Sequence, residues 1–152
     1  MAEAESLLAR AALTGAGPRA GFRRAGRFQL EAAIQSVHAE RARTGRTEWT
    51  AIVTFYEQLV RLSPSVGART AYAAATAEAD SPAAGLARLE AIPAKAVAGY
   101  QPYWAVRGHL LGQLGRRQEA QAAYTLAIEL SNDAAVRDHL LSKSRVLARH
   151  GL

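Results

Sequence analysis

The sequence predicts an all-α fold, a right-handed array of helical hairpins with seven or eight helices. Tyr56 and Tyr124 are 68 residues apart, which is twice a period of about 34 residues. Steps of the same length join Ile52, Leu86 and Ala120. Alanine dominates the 49% of hydrophobic residues, and alanine-rich segments with few β-branched residues favour helix. Because each hairpin can bury its apolar face only against the next one, such units form an array.

The clearest hairpin spans residues 101–131. Its apolar positions run large, small, large in the first helix and small, aromatic, small in the second: Trp104, Gly108, Leu111 and Leu114, then Ala120, Tyr124, Ala127 and Leu130. Gly115 marks the turn between them. This order resembles one tetratricopeptide repeat. It predicts antiparallel helices that touch at Gly108 and Ala120, and Trp104 and Tyr124 are predicted to form a wedge between these helices.

Residues 1–27 are predicted to form a linker helix and a basic loop, ahead of a tetratricopeptide-like helical domain over residues 28–152. The linker helix covers residues 2–13, and glycines with Pro18 indicate a loop over residues 14–27. The loop contains four arginines and no acid: Arg19, Arg23, Arg24 and Arg27. We interpret it as a solvated loop or as a binding patch, whose positive field would attract DNA weakly and in a salt-dependent way.

Three helices are predicted in the first half of the domain, over residues 28–43, 48–62 and 66–79. Apolar side chains at helical spacing predict the buried faces of the first two. These side chains are Leu30, Ala33, Ile34 and Val37, then Trp49, Ile52, Tyr56 and Leu59. Thr47 is the candidate N-cap of the second helix, and Pro64 ends it.

The second half of the domain begins with the turn Asp80-Ser81-Pro82. Asp80 or Ser81 can cap the helix predicted over residues 83–91, and Pro82 fits the first turn of a helix. A loose connection over residues 94–101 leads to the hairpin helices, 102–114 and 117–131. Asn132-Asp133 caps the last helix, 134–149, whose inward residues are predicted to be Val136, Leu140, Leu141 and Leu147.

The composition restricts the cellular setting. The chain has no cysteine, so disulfide and thiolate chemistry are excluded. We find no apolar run of membrane-spanning length, and the first residues include glutamates rather than the basic segment of a signal peptide. We therefore expect a cytoplasmic protein without a membrane partner. The net charge of +6 is compatible with an acidic partner but does not identify one.

Catalytic and metal-binding patterns are absent from the sequence. The glycines near the N-terminus follow no predicted strand, so they do not form a phosphate-binding loop. Four histidines lie at spacings that do not match metal sites: His38, His109, His139 and His150. Paired carboxylates in an apolar setting are also missing. We expect a protein that is not an enzyme and that needs no cofactor.

Several segments occur in an order that resembles the C-terminal domain of one group of extracytoplasmic-function RNA polymerase sigma factors. They are residues 27–40 (RFQLEAAIQSVHAE), 48–65 (EWTAIVTFYEQLVRLSPS), the turn 80–86 and the repeat at Trp104. The group's typical pieces are a Gly-Pro-Tyr-Gln-Leu-Gln-Ala-Ala-Ile run that ends in Val-His, an Asn-Arg-Ala-Val run and an Asp-Gly-Pro turn. In this chain Arg27-Phe28 replaces Pro-Tyr, residues 68–72 lack the asparagine, and Ser81 replaces the turn glycine.

The resemblance implies a regulatory protein-interaction domain in transcription initiation, which acts on sigma domains or RNA polymerase. It also implies a protein-binding surface formed by the first helices of successive hairpins and the turn after residue 79: Gln29, His38, Arg69, Tyr72, Asp80 and Pro82. Three of them have a structural explanation as well: Asp80 and Pro82 suit a helix start, and His38 suits a structural histidine near the end of a helix face.

Two interpretations remain open. The chain is either a fragment of such a sigma factor or a free-standing derivative, because no sigma domain precedes residue 1 in this sequence. The alternative to a sigma-factor role is a tetratricopeptide adaptor that binds a peptide in its concave groove. Neither predicts sequence-specific nucleic-acid binding, because no helix presents base-reading side chains between phosphate-contacting ones.

Overall fold

The computed structural model describes residues 19–45 and 47–149, without the side chains of residues 19–25 and 41–44. This part of the chain contains eight α-helices and no strand, so the predicted all-α fold of helical hairpins is confirmed. The helices are α1 (Arg19–Thr44), α2 (Trp49–Leu62), α3 (Val66–Ala79), α4 (Pro82–Glu90), α5 (Ala94–Val97), α6 (Gln101–Gln113), α7 (Arg117–Leu130) and α8 (Ala134–Arg149). The helix predicted over residues 2–13 lies outside the described residues.

The chain divides into two compact units, one up to Ala75 and the other from Thr76 onward. In the first unit α1 packs against α2. The residues buried there include the predicted apolar stripe of α1: Leu30, Ala33, Ile34, Val37, Ile52, Phe55, Leu59 and Ala75. Phe55, which the sequence analysis did not select, is fully buried, while Trp49 and Tyr56 pack at the edge as half-buried residues.

Helix α1 begins earlier than predicted, so the prediction of a loop is wrong over residues 19–27. Glycine suggested a loop because it disfavours a helix interior. At Gly26, however, an added Cβ would lie 3.3 Å from Leu62 Cδ1, so this glycine marks a close approach of α1 and the end of α2. The proposed boundary between linker and domain at residue 27 stays a prediction, because residues 1–18 lie outside the described part.

In the second unit α6 packs against α4 and α7, and α7 packs against α8. The buried residues of its helices come mostly from α6 and α7: Leu86, Leu89, Val97, Tyr103, Leu110, Leu111, Ala120, Ala123, Tyr124, Ala127 and Leu140. Residues 94–97 form the short helix α5 where a loose connection was predicted. The indole Nε1 of Trp104 donates to the carbonyl oxygen of Val97 at 3.0 Å, which ties this turn to α6.

The structure shows which of the predicted residues cap the helices. Ser81, not Asp80, caps α4, because its Oγ accepts from the backbone N–H of Ala84 at 3.1 Å. Asp133 caps α8 as predicted, since its Oδ1 accepts from the N–H of Ala135 at 2.8 Å. The prediction for Thr47 is wrong: α2 begins at Trp49, so its N-cap position is Glu48, which makes no side-chain cap bond.

Three apolar residues that belong to the predicted helix patterns are exposed. Leu114 is the C-cap residue of α6 and lies at the turn. Val136 and Leu141 are on α8, where the other two residues predicted to point inward, Leu140 and Leu147, are buried and half-buried as expected. Helix α8 packs mainly against α7. It therefore buries a narrow stripe, and the wider apolar face predicted from the sequence stays partly in solvent.

Candidate functional site

The hairpin of α6 and α7 is held by a contact between a glycine and an aromatic ring. A Cβ added at Gly108 would lie 2.9 Å from Cδ1 and Cε1 of Tyr124. Carbon atoms normally approach to about 3.5–4.0 Å, so only glycine leaves room for this ring. Tyr124 and Ala120 are both buried. The predicted close approach at Gly108 is therefore present, with the Tyr124 ring as its nearest neighbour.

The turn of this hairpin is a Schellman motif. Gly115 has a φ of 76°, the left-handed conformation that glycine adopts at little cost. The N–H of Gly115 donates to Gly112 O at 3.1 Å and the N–H of Arg116 donates to Leu111 O at 2.9 Å. These are the two hydrogen bonds that define the motif. They explain why the chain passes from α6 to α7 at Gly115.

A cavity of about 350 Å³ opens beside this hairpin. Its wall combines aromatic and aliphatic side chains with basic and neutral polar ones from α6, α7 and α8: His109, Gly112, Gln113, Tyr124, His139, Ser142, Lys143, Val146 and Leu147. Helices α6 and α8 meet at its apolar end, where an added Cβ at Gly112 would lie 3.1 Å from Leu147 Cδ2. The glycine and the leucine thus line the cavity where these two helices approach each other.

The charge at the cavity is positive. Burial, and then the ammonium of Lys143, lower the pKa of His109, while the carboxylate of Glu78 opposes this shift. In the described part of the chain Lys143 forms no ion pair with an acidic side chain. Burial raises the pKa of Tyr124, so its phenol stays neutral and can donate a hydrogen bond. The cavity therefore offers two imidazoles and one ammonium that has no ion pair among the described residues.

Four of the predicted site residues lie in the first unit, and all four are half-buried: Gln29, His38, Arg69 and Tyr72. The His38 ring stands edge-on to the Trp49 ring, with centroids 5.7 Å apart. This packing gives His38 a structural role at the border of the α1–α2 core. The prediction that these residues bind a protein stays a prediction.

The other two predicted site residues are in the second unit. Asp80 is exposed, and Pro82 occupies the first turn of α4. Since Ser81 provides the cap, the Asp80 carboxylate has no capping bond to make. That Asp80 and Pro82 share one surface with the residues of the first unit is still a prediction.

The predicted basic patch falls on helix α1 rather than on a loop. Arg27 makes local contacts: its Nε is 3.8 Å from Glu31 Oε1, and its guanidinium carbon is 4.9 Å from the centroid of the Phe28 ring. The same Glu31 contributes, after burial, to a raised pKa of Tyr56. The side chains of Arg19, Arg23 and Arg24 lie outside the described part.

Within residues 19–45 and 47–149, no group of three or more metal-binding side chains comes together. The described helices also include none that is long and apolar enough to cross a membrane. The sequence analysis did not identify the cavity. It did not select Lys143, and the signal that could have found this residue is the repeat period, because His109 and Lys143 are 34 residues apart.

Two comparisons with known proteins bear on this site. Residues 101–133 match the family model described as "Tetratricopeptide repeat", so α6 and α7 form such a repeat. The chain is also 37% identical over 133 residues to "Uncharacterized protein R00370" of Rhizobium meliloti (strain 1021). The match covers 83% of this chain and 31% of that protein, so the chain spans less than a third of the length of this relative.

Proposed function

We propose that this chain is the regulatory protein-interaction domain of an extracytoplasmic-function sigma factor and acts in the cytoplasm on sigma domains or RNA polymerase. The tetratricopeptide repeat at residues 101–133 carries the protein-interaction part of the proposal, because such repeats stack into surfaces that bind proteins. The sigma-factor part is supported by the order of the sequence segments from Arg27 to Trp104.

A longer relative is compatible with this role. Most of this chain aligns with less than a third of the Rhizobium protein, as a domain joined to other domains would. The role assigned to the chain is to contact a protein, without covalent chemistry and without reading a DNA sequence.

The proposal assigns partner contacts to both units. In the first unit Arg69 provides a guanidinium for a carboxylate of the partner, beside Gln29, His38 and Tyr72. In the second unit Asp80 provides a carboxylate for an arginine or lysine. Pro82 holds the turn that carries Asp80, so little conformational entropy is lost on binding. Charged pairs of this kind give geometric specificity, above all where the cation is an arginine.

The test is a transcription reporter assay with the chain joined to its sigma domains. Asp80→Ala and Arg69→Ala are expected to abolish reporter activity while the helical content and the melting temperature stay close to those of wild type. Ser81→Ala is the matched control, because it removes the observed cap of α4 at a cost of about 0.5–2 kcal/mol without removing a charge. If reporter activity follows the melting temperature across all three variants, Asp80 and Arg69 contribute only to stability and the proposal fails.

The second candidate function is a free-standing adaptor that binds a peptide in a groove of the repeat. The observation that favours it is the cavity of about 350 Å³ beside α6 and α7, which requires no sigma domain for binding. Under this alternative, substitutions at Asp80 and Arg69 leave the partner bound, and substitutions in the cavity release it.

A further inference from the structure

The cavity of the second unit combines three features that point to one kind of ligand. Lys143 is half-buried and unpaired within the described residues. His109 and His139 lie in the same wall, and Ser142 and Gln113 add groups that can donate hydrogen bonds. No acidic side chain is among the lining residues. An anion that enters the cavity therefore meets donors and positive charge without a lining carboxylate to repel it.

The rest of the wall is apolar. Tyr124, Leu147 and Val146 line it, and Val146 is 49% exposed although it is aliphatic. A purely inorganic anion would leave this surface in contact with water. A ligand with an apolar group next to its negative charge would cover this surface, and the removal of apolar area from water would stabilise the complex.

We propose that this cavity binds a partner peptide through an acidic side chain and an apolar side chain next to it. The carboxylate contacts Lys143 and the neighbouring imidazoles, and the apolar side chain packs on Val146, Leu147 and Tyr124. The volume of about 350 Å³ lies at the lower end of the range of small-molecule sites, about 300–1,000 Å³. The cavity therefore suits a short part of an extended chain.

One carboxylate of this chain acts on the same imidazole as Lys143, with the opposite sign. Glu78, which is exposed on α3, acts on His109 from outside the lining, and it opposes the effect of Lys143 on the pKa of that imidazole. Removal of the Glu78 charge is expected to strengthen the binding of an acidic peptide, whereas removal of the Lys143 charge weakens it. This inference depends on the protein-interaction role and not on the sigma-factor role.

The experiment measures fluorescence anisotropy of labelled, amidated octapeptides with the 152-residue chain. Each peptide has a central Glu or Asp flanked by Leu, Val, Phe or Tyr, and its counterpart has Gln or Asn at the centre. We expect at least one acidic peptide to bind about tenfold more tightly than its amide counterpart, because hydrogen bonds to charged groups are stronger than those to neutral ones. Replacing the apolar neighbours of the acid by Ser should also weaken binding.

Three variants locate the site. Lys143→Gln should reduce the affinity for the acidic peptide about tenfold and leave the affinity for the amide peptide unchanged. Glu78→Gln should increase the affinity for the acidic peptide. Lys95→Gln is the matched control, because Lys95 is an exposed lysine of the same unit outside the cavity. Melting curves of all variants check that each is folded.

Several results would overturn the proposal. Equal binding of acidic and amide peptides, no binding of any peptide in the set, or equal losses for Lys143→Gln and Lys95→Gln each contradict it. The last result would mean that the general positive charge of the protein attracts the peptide. A failed reporter test at Asp80 and Arg69 with an intact peptide result would instead reject the sigma-factor role alone.

Discussion

Gly108→Ala tests the closest contact of the repeat. The added Cβ would lie 2.9 Å from two ring carbons of Tyr124 and 3.0 Å from its Cγ. The shortfall against a normal contact of about 3.5–4.0 Å is about 0.5–1 Å. Tyr124 is only 3% exposed and its Cγ is held close to the backbone, so relief requires a shift of α7 or of the ring.

The magnitude follows from two opposed effects. Overpacking of a filled core typically costs about 1–3 kcal/mol, whereas alanine gains about 0.8–1 kcal/mol over glycine in a helix interior. Gly112→Ala, four residues further along α6, is the matched control. Its Cβ would meet Leu147 Cδ2 at 3.1 Å, and the end of a half-buried leucine side chain can move. Because both variants gain the helix propensity of alanine over glycine, the difference between their free energies of unfolding isolates the clash.

We therefore expect Gly108→Ala to be about 1–3 kcal/mol less stable than Gly112→Ala. Urea unfolding followed by circular dichroism measures both variants. Tyr124→Leu combined with Gly108→Ala completes a double-mutant cycle, and a coupling energy above about 0.5 kcal/mol is expected for residues in contact. Equal stabilities of the two alanine variants, or additivity within the cycle, would refute the proposed glycine–tyrosine contact.

Four further substitutions test single features of the second unit. Gly115→Ala should cost about 1–2 kcal/mol in urea unfolding through its positive φ alone, because nothing lies within 4 Å of an added Cβ; an unchanged midpoint contradicts the Schellman turn. Ser81→Ala should lower stability by about 0.5–2 kcal/mol, whereas Asp80→Ala should not, and the reverse order would make Asp80 the cap. Ala120→Trp should destabilise by about 1–3 kcal/mol or more, since Ala120 has no exposed surface; a melting temperature equal to that of wild type excludes the tight packing.

The helices were largely predictable because their ends depend on local chemistry. Val66–Ala79 and Ala134–Arg149 have the predicted bounds, and each lies beside a proline or a capping aspartate that acts within one turn. The start of α1 was not predictable in this way. Gly26 disfavours helix by its intrinsic propensity, and only its contact with Leu62, which is remote in sequence, explains a glycine there.

The cavity shows a second limit of sequence reasoning. His109 and Lys143 are 34 positions apart in the sequence and belong to helices that come together through α7. A spacing rule for metal ligands or catalytic groups detects residues on one face of one helix. It does not detect basic residues that two different helices bring to the same cavity. The repeat period itself was the usable clue, because residues one period apart occupy equivalent positions in neighbouring hairpins.

The electrostatics of this wall predict a pH dependence of stability. The pKa of His109 is below its ordinary value of 6.5, through burial first and Lys143 second. The folded protein thus holds this proton less tightly than the unfolded chain. Between the lowered pKa and 6.5 the unfolded state binds more protons, so stability rises with pH. The contribution of His109 to stability is complete above pH 6.5, and it is lost as the pH falls through the pKa of His109 in the folded state.

Proton NMR titration of the imidazole of His109, with His109→Gln to assign its signal, tests this reasoning. Lys143→Gln should raise the pKa of His109 towards 6.5, and Glu78→Gln should lower it further, because the two charges act in opposite directions. Urea unfolding between pH 5 and 7, a range flanking the ordinary histidine pKa of about 6.5, should show a weaker rise of stability with pH in His109→Gln than in wild type. His139 lines the same cavity and is present in both proteins, so only the difference between them reports on His109. A pKa of His109 at or above 6.5 in the wild-type protein would contradict both the burial of this ring and the positive charge of the cavity wall.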